Sequence, residues 1–136
     1  MEQLLQNPYF GTFAYYTVTG LAMVVFLSVF ELVTRYQVWQ ELKKGNVAVA
    51  MATGGKLFGI ANIFSYSIQH HDSIGQALIW GTFGFFLLLG SYFIFEFMTP
   101  GFRVDDEIGR DNRAIGLISM VLSIGFSFVI GASLTR

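Results

Sequence analysis

The sequence contains no cysteine and few charged residues. Of its 136 residues only 12% are charged, against roughly a quarter in an ordinary soluble domain, and the formal net charge is −1. The absence of cysteine excludes disulfides, iron–sulfur ligation and thiol catalysis. The missing excess of basic residues excludes the patch that a phosphate backbone would require, so we do not expect nucleic acid as a partner.

Apolar residues dominate what is present. They make up 54% of the chain, and 17% of it is aromatic. A soluble globule of this size would have too few polar residues to cover its surface, so the excess apolar surface must face lipid. The run between Phe83 and Phe97 is nearly all apolar rather than alternating, which favours helices over a barrel. We predict an all-α membrane protein whose four spans are long enough to cross the bilayer, at about residues 12–33, 46–69, 74–98 and 113–134.

The chain also repeats itself. Phe30–Thr34 (Phe-Glu-Leu-Val-Thr) returns sixty-five positions later as Phe95–Thr99 (Phe-Glu-Phe-Met-Thr), and a charged connector follows each run. We therefore predict one domain over residues 1–136, built from two tandem two-span units at about 12–69 and 74–134. Because each unit crosses the membrane twice, the two copies enter it in the same sense and are related by an approximate two-fold axis along the membrane normal.

The two connectors have the pattern of short interfacial helices. In the second one, Val104 and Ile108 lie on one side, and we place Asp105 on the opposite, polar side. Asn46 and Asn112 follow the connectors at the points where the second and fourth spans begin. Their side chains are predicted to be helix N-caps, with ligand contact as the less favoured alternative.

The distribution of basic residues predicts the orientation in the membrane. With four spans, both connectors lie on one side and both termini on the other. The connector side has six Lys or Arg residues and the opposite side only the terminal one, Arg136. By the positive-inside rule the connectors are cytoplasmic and both termini are outside, in a bacterial plasma membrane.

Three ionisable residues lie within the apolar segments. Glu31 and Glu96 are equivalent in the two copies, whereas Lys56 corresponds to Leu122. Counting from the start of its span, Lys56 is about 15 Å deep, near the middle of the bilayer. Such a residue must reach the interface, pair or meet water. We favour pairing of Lys56 with Glu31 or Glu96, and the alternatives are an ion or proton pathway or a site for a partner helix or lipid headgroup.

Small residues recur every fourth position along the fourth span, at Ser119, Ser123, Ser127 and Gly131. In lipid, such a stripe lets two helix backbones approach closely. It is predicted to be a helix-packing surface within the bundle, and self-association of two chains is the alternative.

No motif indicates catalysis, a metal or a cofactor. The one candidate metal cluster is His70-His71-Asp72, at the turn between the second and third spans. Adjacent histidines on a short turn point apart and no third ligand follows, so we predict a solvated turn and no bound metal.

The doubled connector resembles the YjfL-like (also YshE-like) family of small bacterial inner-membrane proteins. The matching runs are Glu41–Ala48 and Glu107–Ala114, and the second departs from the family pattern at Asp111, where glycine is usual. The resemblance implies a four-helix membrane domain of unknown function whose genes often lie beside envelope-stress genes.

Two functions remain open. The first is a non-enzymatic membrane module that assembles with itself or with partner membrane proteins, in envelope stress or membrane organisation. The second is a small ion or proton channel or transporter subunit that uses Glu31, Glu96 and Lys56. The lipid bilayer is a partner in both.

Overall fold

The computed structural model is helical throughout the part of the chain that it describes, residues 3, 6–34, 36–98, 101 and 103–135. The helices are α1 (Pro8–Val33), α2 (Val38–Lys43), α3 (Val47–His70), α4 (Ile74–Met98), α5 (Val104–Gly109) and α6 (Arg113–Leu134). Four of them are long and apolar enough to cross a membrane. The predicted all-α class with four spans is thus confirmed, and the short helices α2 and α5 occupy the connectors.

Helix α1 begins earlier than the hydrophobicity of the sequence indicates. Pro8 occupies the first helical position, where its missing N–H costs no hydrogen bond, and the side chain of Asn7 accepts a hydrogen bond from the Tyr9 N–H at 3.0 Å. This cap extends the helix four residues beyond the predicted start at residue 12.

Helix α3 is the centre of the bundle. It packs most extensively against α6, then against α4, and less against α1. The extensive packing of α3 against α6 follows from the close approach of their backbones. A Cβ atom at Gly55 would lie 2.6 Å from the Cα of Met120, and one at Gly116 would lie 2.7 Å from the Cα of Ala48. Only glycine permits backbones this close, and in lipid such contact replaces the hydrophobic drive that operates in water.

Two apolar clusters hold the bundle together. The larger one joins α1, α3, α4 and α6 through aromatic rings, with the centroids of Phe26 and Phe85 only 4.3 Å apart. The smaller one joins the connectors to the start of α3, where Val104 and Ile108 of α5 are fully buried beside Ala48. The connectors are therefore parts of the packed structure.

Helix α1 is the least packed of the four long helices. Only Gly11 and Phe30 are buried along its 26 residues, whereas α3 has ten buried residues. Large side chains on α1, such as Phe13 and Tyr16, are mostly exposed. Most of this helix is therefore available to lipid or to another protein.

Candidate functional site

Lys56 lies in a buried cage of aromatic rings. It projects from α3 and is only 2% exposed. Its Nζ atom donates a hydrogen bond to the hydroxyl oxygen of Tyr36 at 3.3 Å. The ring centroids of Tyr92 and Phe30 are 4.4 and 5.3 Å from the same atom. The rings attract the cation through their quadrupoles, and this attraction is strongest where water is excluded. We call Phe30, Tyr36 and Tyr92 the lysine cage.

Two carboxylates, those of Asp105 and Glu96, lie next to the lysine cage. The Tyr92 hydroxyl donates to Oδ1 of Asp105, and the backbone N–H of Asp105 donates to Oε2 of Glu96 at 3.2 Å. Both carboxylates attract the ammonium of Lys56, Asp105 more strongly. The site thus contains one cation and two anions. Tyr92 connects Lys56 with Asp105, because its ring contacts the lysine and its hydroxyl donates to the aspartate.

The same environment keeps Tyr36 protonated. Burial raises the pKa of its hydroxyl far above the ordinary value, and the carboxylates of Asp105 and Glu96 raise that pKa further. Because a neutral hydroxyl oxygen accepts a hydrogen bond, Tyr36 is a stable acceptor for the ammonium of Lys56.

Of the three ionisable residues identified from the sequence, the structure brings two to one site. Glu96 is close enough to act on Lys56 electrostatically, although none of the ion pairs among the described residues joins Lys56 to Glu31 or Glu96. Glu31 is half-buried and lines a groove between the end of α1 and helix α2, to which Tyr36 of the lysine cage also contributes.

Asp105 is the site residue that sequence reasoning missed. We placed it on the polar side of its connector, and it is 5% exposed beneath the bundle. The assignment was wrong because α5 packs against α3 and α6 with Val104 and Ile108 buried, and its first turn, which contains Asp105, is buried as well. The available signal was the apolar character of Val104, just before Asp105, and of Ile108, three residues after it.

Glu96 has a second role, as a cap supplied by another helix. Arg103 occupies the N-cap position of α5 but makes no side-chain capping bond. The Glu96 carboxylate instead accepts from the N–H of Asp105, in the first turn. A carboxylate there satisfies a free donor and complements the helix dipole.

Asn46 and Asn112 both occupy N-cap positions. The side-chain oxygen of Asn46 accepts from the N–H of Val49 at 3.0 Å, and that of Asn112 accepts from the N–H of Ile115 at 3.3 Å. Each amide also donates to the glutamate five residues before it. The hydrogen bond from Asn46 lowers the pKa of the Glu41 carboxyl, and Lys44 adds to this effect.

The turns before these caps match as well. Two residues after the end of α2 and of α5 comes a residue with positive φ, Gly45 at 82° and Asp111 at 63°. In each case the N–H of this residue and the N–H of the next residue donate to carbonyls of the final turn, as in a Schellman motif. Aspartate tolerates this conformation better than most residues, which explains how Asp111 can occupy the position that corresponds to Gly45.

Three further hydrogen bonds join the two connectors. The amide of Asn46 donates to the carbonyls of Ile108 and Gly109 at 3.2 and 3.0 Å. In return, Oδ1 of Asp111 accepts from the N–H of Ala48 at 3.0 Å. That bond lowers the pKa of the Asp111 carboxyl, and Arg113 lowers it further. The end of α5 is thereby fixed to the beginning of α3.

The small-residue stripe faces α3 of the same chain. Ser119, Ser123, Ser127 and Gly131 are all buried, and the amide of Asn62 donates to the hydroxyl of Ser127 at 3.0 Å. Residues in this position pack the bundle internally and are not accessible to a second copy. The hydroxyl of Ser119 is buried with no hydrogen-bond partner in the described structure.

The two histidines of the turn point to different neighbours. The His71 ring stacks on Trp80, and its Nδ1 lies 2.8 Å from the carbonyl oxygen of Ser67, whereas the His70 ring stacks on Tyr66. Within the described residues, no three His, Cys, Asp or Glu side chains are grouped as metal ligands.

Comparisons with known proteins place this chain in a family. The model of the family described as Domain of Unknown Function DUF350 matches residues 3–134. The UPF0719 transmembrane protein YshE of Bacillus subtilis (strain 168) is 55% identical over 134 residues, covering 98% of this chain and 100% of that protein. No solved structure matches. The chain belongs to the DUF350 family, as its doubled connector indicates, and is similar over its whole length to a bacterial transmembrane protein.

Proposed function

We propose that this member of the DUF350 family is a non-enzymatic membrane module that assembles with transmembrane helices of a second copy or of partner membrane proteins. The observation that supports this proposal is a wide groove between α1 and α3, in the half of the bundle away from the connectors. Small residues are among those that line it, including Gly11 and Gly20 of α1 and Ala61 of α3.

A transmembrane helix suits this groove better than lipid chains do. Small residues let a helix backbone approach closely enough for extended van der Waals contact, which drives helix association within lipid. The rest of α1 supports the same conclusion, because Phe13 and Tyr16 are exposed beside the groove and aromatic side chains contribute strongly to protein interfaces. The role in envelope stress rests on the family resemblance alone.

The groove can be filled without disturbing the chain itself. A Cβ atom at Gly20 would meet nothing within 4 Å, so Gly20→Leu should fold normally and block a partner helix. We expect this variant to lose the oligomers that the wild-type protein forms in nanodiscs, as measured by native mass spectrometry.

Gly125→Leu is the matched control. Gly125 lies on α6, outside the groove, and also has open space around it. It should leave both oligomer mass and thermal stability unchanged. If Gly20→Leu assembles like the wild-type protein, the groove is not the assembly surface.

The lysine cage favours a second candidate, a proton or ion pathway. Buried charges within spans are often parts of such pathways, and Lys56, Asp105 and Glu96 meet at one site. Against this candidate, the stacked rings of Phe26 and Phe85 fill the bundle on the side of Lys56 away from the connectors. Flux of protons or K⁺ from liposomes containing the protein, abolished by Lys56→Met, would favour the pathway.

The architecture supports the tandem repeat as a further part of the proposal. Hydrogen bonds at the end of α2 and the start of α3 recur at the end of α5 and the start of α6, each sixty-six residues later. We infer two copies of one two-span unit, with the basic connectors in the cytoplasm and both termini outside.

A further inference from the structure

A groove on the connector side of the bundle has the features of a lipid headgroup site. It lies where α1 ends and α2 begins. Four of the residues that line it define what we call the Glu31 groove: Glu31, Leu32, Tyr36 and Trp39. Leu32 is 84% exposed and Trp39 is 62% exposed. The groove is therefore open to its surroundings rather than enclosed in the bundle.

The carboxylate of Glu31 has no partner in the described residues. No hydrogen bond or ion pair to its side-chain oxygens is formed there. Its counterpart in the second copy, Glu96, accepts the N–H of Asp105. A half-buried carboxylate at the edge of a bilayer is poorly solvated, and a cation beside it would offset part of that cost.

The position of the groove indicates where the cation comes from. Glu31 is two residues before the end of α1, about 3 Å along the helix axis. Tryptophan and tyrosine are typical of the headgroup level, so Trp39 and Tyr36 place the groove among the headgroups. The exposed side chain of Leu32 adds an apolar surface beside the carboxylate. An amphipathic cation from the membrane fits this combination better than a soluble ion does.

We propose that the Glu31 groove binds the headgroup of a zwitterionic phospholipid that carries a primary ammonium, phosphatidylethanolamine being the probe. The Glu31 carboxylate accepts hydrogen bonds from the ammonium, the rings of Trp39 and Tyr36 add cation–π attraction, and an acyl chain lies along Leu32. This site is separate from the groove between α1 and α3 and does not depend on assembly.

Trp39 makes the proposal directly measurable. The chain has two tryptophans, so a Trp80→Phe background leaves Trp39 as the single reporter. The protein is reconstituted in phosphatidylcholine vesicles that contain a minor fraction of either brominated phosphatidylethanolamine or brominated phosphatidylglycerol. We expect the ethanolamine lipid to quench Trp39 with a relative binding constant about two- to five-fold higher, the factor that corresponds to one exposed cation–π or ion-pair contact.

Two substitutions separate the site from a general effect of charge. Glu31→Gln should remove the preference, and Asp106→Asn, which removes one carboxylate from the other connector, should keep it. Because the Glu31 side chain has no partner in the described residues, its amide variant should fold, and circular dichroism in the same vesicles checks this. Glu31→Asp provides a second variant, which retains the charge and should keep part of the preference.

Three outcomes would overturn the proposal. The first is equal quenching by the two brominated lipids. The second is a preference that survives in Glu31→Gln. The third is loss of the preference on adding free ethanolamine at concentrations that leave the vesicles intact, which would assign the groove to a soluble amine instead of a lipid.

Discussion

Replacing Asp105 by asparagine tests whether carboxylates stabilise the buried lysine. Asparagine preserves the size of the side chain and an acceptor for the Tyr92 hydroxyl but removes the charge. The ammonium of Lys56 then retains its aromatic contacts, the Tyr36 hydroxyl and the more distant Glu96. Removing one partner of a buried charge pair costs about 3–5 kcal/mol. Because Glu96 remains, we expect the free energy of unfolding to fall by an amount at the lower end of that range, about 3 kcal/mol.

Replacing Lys56 by methionine should cost less, although it removes the central residue of the site. The variant loses cation–π contacts worth about 0.5–2 kcal/mol each, but it also removes the cost of burying an ammonium, about 2.5–3.5 kcal/mol at the centre of a membrane helix. The carboxylates left behind can each take up a proton. We therefore expect a net loss of about 1 kcal/mol.

The double variant distinguishes coupling from independent damage. If Asp105 stabilises the fold through Lys56, then Asp105→Asn should lose most of its destabilising effect when it is made in a Lys56→Met background. The expected interaction energy is about 2 kcal/mol. The assay is unfolding of the purified protein in mixed micelles by increasing SDS, followed by circular dichroism, with Asp106→Asn as the control for loss of a neighbouring charge. Additive losses in the double variant would show that Asp105 acts through other contacts.

Three further predictions follow from the packing, the caps and the topology. Gly116→Leu should destabilise the bundle by about 3 kcal/mol in the same assay, because its side chain would enter the backbone of α3; a wild-type unfolding curve would contradict the close approach. Asn46→Ala should cost about 2 kcal/mol, more than Asn112→Ala, because Asn46 also donates to the carbonyls that end α5; equal losses would show that these extra bonds contribute little. A cysteine at Ser73 should react with an impermeant thiol reagent applied outside intact cells, and one at Gln40 should not; the reverse pattern would overturn the orientation inferred from the basic residues.

The sequence predicts the elements of this fold better than it predicts the site. Span positions follow from the length of apolar runs, and both caps follow from asparagines placed immediately before them. Depth could also be counted, which identified Lys56 as a buried charge. Counting along the sequence could not show which neighbouring helix each side chain faces, because that depends on the rotation of each helix about its axis. Glu31 and Glu96 have the same depth and the same local sequence, and only the packing of α4 against α3 places Glu96 near the lysine.

The aromatic part of the site was hidden for a related reason. Tyr36, Tyr92 and Phe30 come from three separate segments, and each is typical of a membrane protein rich in aromatic residues. Their convergence depends on how α1 and α4 flank α3. Sequence periodicity describes one helix at a time, so it cannot show three rings meeting around one ammonium.

Lys56 accounts for the main difference between the two otherwise similar halves of the chain. Its counterpart in the second half is Leu122, so a lysine lies in the middle of a span in the first half only. Because this cation attracts the carboxylates of Asp105 and Glu96, it compensates the burial of two negative charges, one near the end of α4 and one in α5. Glu31, near the end of α1, has no such compensation within the described residues and lines an open groove instead. On the proposed two-unit organisation, this one lysine explains why Glu96 is part of the fold while Glu31 lines an open groove.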